Sequence, residues 1–175
     1  TVSNNYVIFE FKSWIDKHPI GTLKQTIGTV NELGNFFEYQ LYCKNLNITL
    51  QHFNRAVSKS LKLSSNKFYI NGIIEKYKNI ENRLDEEVIS IDPINSQDFD
   101  DALSIKRLDE TKTKISIYIS NVAILIDYFN LWDSFSERIA TIYLPDRKRP
   151  MLPTILSEQL CSLKENESRI TLSLD

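Results

Sequence analysis

The 175-residue chain is short of several things, and each shortage removes a class of protein. Glycine (4) and proline (5) are scarce, which excludes collagen-like and linker-like chains. Two cysteines, Cys43 and Cys161, lie far apart without CxxC spacing, so neither a disulfide framework nor a cysteine zinc site is expected. Two histidines, His18 and His52, are too few for a histidine-rich metal centre. No stretch approaches the ~18 uncharged apolar residues that a membrane span needs. Thr1–Glu10 lacks the basic head and clean apolar run of a signal peptide, and the sparse cysteines make an intracellular setting, cytoplasmic or nuclear, the expected one. An excess of positive charge is missing too. Lys plus Arg total 21 against 23 acidic residues, which excludes a general nucleic-acid coat but allows a local binding groove. Met151 is the only methionine, so a processed or excised chain is expected.

What is present is 42% hydrophobic and 25% charged, enough apolar content for a core. Residues 1–50 read as short strands. Val7–Phe11 is a β-type run, glycines 21, 28 and 34 punctuate at turn-like intervals, and Phe36, Phe37, Tyr39, Leu41 and Tyr42 form a strand-prone segment. This suits the end of an OB-type barrel, or any β-hairpin packed on a neighbour. Residues 51–87 read as a connecting arm with short helices at Asn54–Lys62 and Gly72–Asn82. From Val88 onward, Val88, Ile89 and Ile91 suggest a short buried strand stopped at Asp92-Pro93. Ala102–Ile105 starts another, and Ile115, Ile117 and Ile119 alternate with Ser116, Tyr118 and Ser120 as in a strand with one buried face. Spacing at Leu131, Phe135, Ile139 and Ile142 predicts a helix, with Asp127 or Asn130 as N-cap, and a last helix is expected near Ile155–Leu163. The expected class is α+β.

Between Ile91 and Ala102, four carboxylates (Asp92, Asp98, Asp100 and Asp101) fall within ten residues. Like charges so close repel, so they persist best around a divalent cation or with each pointing to water. A metal-dependent phosphoryl-transfer site and an exposed acidic turn both answer that description. An EF-hand does not: counted from Asp92, Ser96 and Gln97 stand where its second charged ligand and its glycine belong.

Ser90-Ile91-Asp92-Pro93 followed by Asp98-Phe99-Asp100-Asp101-Ala102 resembles the signature loop of the ribonuclease II and ribonuclease R family, which includes the catalytic subunit of the eukaryotic exosome. Three further blocks agree in order: Ile115–Val122 with the family's "GVHIADV", Arg138–Leu144 with "RGTSVYL", and Pro150–Pro153 through Leu163 with "PMLP…LS…LCSL". Arg169 stands where an arginine follows that last block. Upstream, Pro19-Ile20-Gly21 and Ile27-Gly28 are similar to the family's last cold-shock domain. The resemblance implies the C-terminal part of an OB-type domain in 1–50, a connecting arm in 51–87, and the N-terminal half of an RNB exoribonuclease domain in 88–175.

It further implies processive 3′-to-5′ hydrolysis of single-stranded RNA to nucleoside 5′-monophosphates, dependent on Mg²⁺ or alternatively Mn²⁺. Asp92, Asp98 and Asp101 would be metal ligands, and Asp100 the aspartate whose loss stops cleavage but not binding. Tyr143 matches a tyrosine beside the terminal base, although a core tyrosine is the plain alternative. Arg147, Lys148 and Arg149 could contact phosphates or merely form a solvated turn. Phe99 is expected to be a buried anchor for the loop. RNA is the implied partner, with exosome-like or degradosome-like assembly and no membrane. Two departures stand out: Tyr118 replaces the family's histidine and Asn121 its aspartate. The family's completing arginine, in a "SPIRRY"-type segment, lies further downstream than Asp175, so residues 1–175 alone are expected to show little activity. The alternative function is a degenerate relative that binds RNA or a partner without cutting.

Overall fold

The computed structural model describes residues 4–61 and 65–175. In chain order, the first elements are β1 (Asn5–Ser13), β2 (Ile20–Thr29), α1 (Leu33–Cys43), α2 (Gln51–Ser60) and α3 (Asn66–Lys76). Then follow β3 (Val88–Ile89), β4 (Asp101–Arg107), β5 (Thr113–Ser120) and α4 (Val122–Tyr128). Last come β6 (Ile142–Tyr143), β7 (Lys148–Arg149) and β8 (Thr171–Leu174). The class is α+β, with every strand pair antiparallel, and the described residues contain no closed barrel. Two compact units divide the chain: 1–49 with 137–149, and 50–136 with 150–175.

In the first unit, β1 and β2 form an irregular hairpin. The aromatic run from Phe36 to Tyr42, expected as strand, is helix α1. Aromatic β-propensity is overridden because a helical period puts Tyr39 against Tyr6 in a stack with centroids 4.6 Å apart. The same face lets the Tyr42 hydroxyl donate to Gln25 Oε1 at 3.0 Å. Gly28 adopts φ +150°, and a Cβ there would run into the Asn35 side chain, so the turn into α1 requires glycine. The β6–β7 ribbon belongs to this unit.

The second unit holds the main core: Phe53 and Val57 of α2, Tyr69, Ile70 and Ile73 of α3, Leu125 and Ile126 of α4, and Leu156, Leu160 and Cys161. Phe53 and Val57, four apart, occupy one helical face, as an amphipathic helix requires. The expected end of α2, Lys62, lies outside the described residues. The helix expected over Leu131–Ile142 is absent; one 3₁₀ turn, Trp132–Ser134, stands there. Its apolar spacing never faced one core, since Leu131 is buried while Ile139 is 85% exposed. Asn130 is not an N-cap. It terminates α4 with φ 52°, and Leu131 N–H returns to the Ile126 carbonyl at 2.8 Å in a Schellman arrangement. The last expected helix is a wide π-type turn, Leu156–Leu160.

The four-stranded sheet runs β3-β4-β5-β8. β3 is an exposed edge strand rather than a buried one. β5 does alternate, but with the opposite face inward: Ser116 and Tyr118 are buried, while Ile115, Ile117 and Ile119 are about half exposed. Phe53, almost wholly enclosed and packed edge-on to Phe135 at 5.4 Å, is the largest fully buried side chain among the described residues. Phe53→Ala should therefore lower unfolding free energy by about 3–5 kcal/mol, read from urea denaturation midpoints.

Candidate active-site loop

The acidic stretch connects β3 to β4 in the second unit. Asn95, at φ 76°, sits in a turn closed by Ser96 N–H donating to the Pro93 carbonyl at 3.1 Å. The loop then passes along the segment that follows the π-type turn. Phe99 N–H donates to Ser162 Oγ at 3.1 Å, and Leu163 N–H donates to the Phe99 carbonyl at 2.8 Å. Ser120 N–H holds the Asp100 carbonyl at 2.9 Å, and Asp101 opens β4 opposite Ile119. Phe99 is half-buried, an anchor more through its backbone than its ring.

Asp92 and Asp98 are partly buried, and Asp100 and Asp101 are exposed. One oxygen of Asp92, Oδ2, is buried without a hydrogen-bond partner, which is the kind of donor a cation would satisfy. Carboxylate oxygens also suit Mg²⁺ or Mn²⁺ in kind. Their placement does not: among the described residues no three His, Cys, Asp or Glu groups gather closely enough to share an ion. Cys161, behind the loop, is no nucleophile, because burial pushes its thiol up to about 12.

The two substituted positions have structural work. Asn121 Oδ1 accepts from Ile124 N–H at 3.1 Å as the N-cap of α4, a task asparagine and aspartate share. The Tyr118 hydroxyl donates to Glu86, and Ser104 Oγ, with a single proton to give, lies 2.9 Å from that hydroxyl. Ser104 also reaches Glu86 at 3.1 Å, and Lys114 Nζ reaches its other oxygen at 3.0 Å. Hydrogen bonds from Tyr118, then Lys114, hold the Glu86 carboxyl down at about 2. The adjacent Asp175 is likewise held at about 2, chiefly by Arg83 at 2.6 Å. This network pins the approach to β3, and with it the entry to Asp92. Sequence reasoning missed Glu86 and Ser104, which carry no motif, although Asn121 before an apolar run was a readable cap signal.

The other candidate residues lie in the first unit. Tyr143 is 73% exposed, an open ring opposite Lys148. Arg147 is exposed and lies 3.3 Å from Glu38. Arg149 is buried, with its guanidinium engaged by Asp146 at 2.8 Å and Glu38 at 2.7 Å, so its first task is to hold the ribbon.

The family model "RNB domain" matches residues 78–175. Ribonuclease R of Ureaplasma parvum is 30% identical over 175 residues, covering 99% of this chain and 23% of that protein. Exoribonuclease 2 of Psychromonas ingrahamii is 45% identical over 84 residues, 47% of this chain and 13% of its own. The structure of Mycoplasma genitalium RNase R in complex with double-stranded RNA superposes with a TM-score of 0.73 at 21% identity, covering 99% of this chain and 30% of that one. That likeness establishes the fold. The chain spans less than a third of the length of each of these relatives.

The Glu86 network sets a pH dependence. Above about pH 4.5 the carboxylate is ionised whether the chain is folded or not, and its full contribution is present. As pH falls from there toward about 2, only the unfolded chain takes up the proton, and the contribution is lost. Wild type should thus exceed Glu86→Gln in urea midpoint most above pH 4.5, with the gap closing toward pH 2; a gap independent of pH would contradict the assignment.

Proposed function

The chain belongs to the RNB domain family, and from that premise we propose that the protein carrying it is a hydrolytic 3′-to-5′ exoribonuclease acting on single-stranded RNA. The observation that carries the reading is the segment Asp92–Asp101, whose four aspartates lie inside the family match and whose Phe99 and Asp100 backbone is held by Ser162, Leu163 and Ser120. Asp92, Asp98 and Asp101 are the proposed ligands of Mg²⁺; the three carboxylates would have to draw together around the ion, with Asp92 offering its buried Oδ2. Asp100 is the aspartate required for cleavage. Tyr143 offers an exposed ring on which a terminal base could stack, and Arg147 and Lys148 supply positive charge beside it. Nucleoside 5′-monophosphates are the proposed products, released processively. Assembly with other RNA-degrading proteins belongs to the same proposal.

The second reading, an RNA-binding relative that does not cut, has one observation in its favour: among the described residues no three His, Cys, Asp or Glu groups are placed to hold an ion together. A single variant separates the two. In the full-length protein with Mg²⁺, Asp100→Asn should reduce release of labelled mononucleotide from single-stranded RNA by roughly 100-fold or more, as loss of an essential catalytic-site group does. RNA affinity measured by filter binding should change little. Equal activity in wild type and variant would sink the exoribonuclease assignment.

A further inference from the structure

We propose that Ser162 and Arg169 are positioning residues that set the Asp98–Asp100 loop for the reaction, an inference that rests on the exoribonuclease reading above. The π-type turn ends with Cys161 N–H donating to the Leu156 carbonyl at 2.8 Å, one residue wider than an α-helix, and so leaves nearby carbonyls outside any helical ladder. Arg169 takes them up. Its nearly enclosed guanidinium donates through Nε to the Ser162 carbonyl at 2.8 Å, through Nη2 to the Gln159 carbonyl at 2.8 Å, and through Nη1 to the Ser168 carbonyl at 2.9 Å. Only the fork of a guanidinium spans such a set; a lysine ammonium would keep the charge and lose the geometry.

Ser162, locked in this way, is completely buried. Its hydroxyl accepts from Phe99 N–H at 3.1 Å and donates to the Gln97 carbonyl at 3.4 Å, and the next residue, Leu163, donates to the Phe99 carbonyl at 2.8 Å. These bonds bracket Asp98 and end one residue short of Asp100. A buried serine that served packing alone would not need to address the loop backbone on both sides of an aspartate. The hydroxyl therefore fixes where the two carboxylates begin. Arg169 acts through it.

The test uses Ser162→Ala and Arg169→Lys in the full-length protein, with three readouts: kcat and KM on single-stranded RNA, deuterium uptake of the peptide covering residues 96–101, and the melting midpoint. Ser162→Ala should raise uptake at least several-fold and lower kcat by roughly 10- to 100-fold, the scale of about a 1 Å misplacement, with KM within about twofold. Arg169→Lys should move both readouts in the same direction by less. A merely structural serine would lower the midpoint and leave kcat per folded molecule unchanged, which overturns the proposal. Uptake unchanged in either folded variant overturns it as well. Should Ser162→Ala fail to fold, Arg169→Lys decides alone. Should wild type leave RNA uncut, the exoribonuclease reading fails by itself, and the role in the reaction fails with it, while uptake still reports whether Ser162 holds the loop.

Discussion

Four aspartates in ten residues repel one another, so whatever holds their loop must be supplied by other parts of the chain. Here the supply comes through the backbone. Phe99 is gripped on both its N–H and its carbonyl by Ser162 and Leu163, more than sixty residues away in sequence, and Ser120 secures the carbonyl of Asp100. The hold is on the main chain, so these bonds do not themselves use the carboxylates. The same segment continues from the π-type turn whose Leu156, Leu160 and Cys161 fill the core, so the loop is tied directly to the most buried part of the second unit.

The other end of the loop depends on a polar inner face. Tyr118, Ser104 and Lys114 converge on Glu86, which precedes β3 and Asp92. A buried polar group is tolerable only when its partners are complete, and a completed set fixes position more sharply than apolar contact. Tyr118 in place of a family histidine is then not a gap in the site but part of a different brace. Asn121 for aspartate keeps the cap of α4. Neither departure removes an aspartate from the loop.

Much of the second unit was legible in the sequence because its signals were local. Alternation from Ile115 to Ser120 marked β5, and the spaced carboxylates with their flanking apolar runs marked the loop. What misled was burial. Isoleucines were read as the inner row of β5, yet Ser116 and Tyr118 face inward, and Tyr118 finds there a partner in Glu86 that no periodicity reveals. Likewise the aromatics of α1 read as strand, since the stack of Tyr39 on Tyr6 that favours a helix is a tertiary contact. Arg149 read as either a phosphate contact or part of a solvated turn, and its charge is engaged by Glu38, more than a hundred residues away in sequence.

The proposed phosphodiester hydrolysis rests on membership of the RNB domain family and on an aspartate-rich loop held by its backbone at the start of β4. Its most direct test follows a 5′-labelled single-stranded RNA through time in the presence of the full-length protein and Mg²⁺. The account predicts loss of nucleotides from the 3′ end with nucleoside 5′-monophosphates as the released product. Internal fragments, or RNA that remains bound and intact, would contradict it.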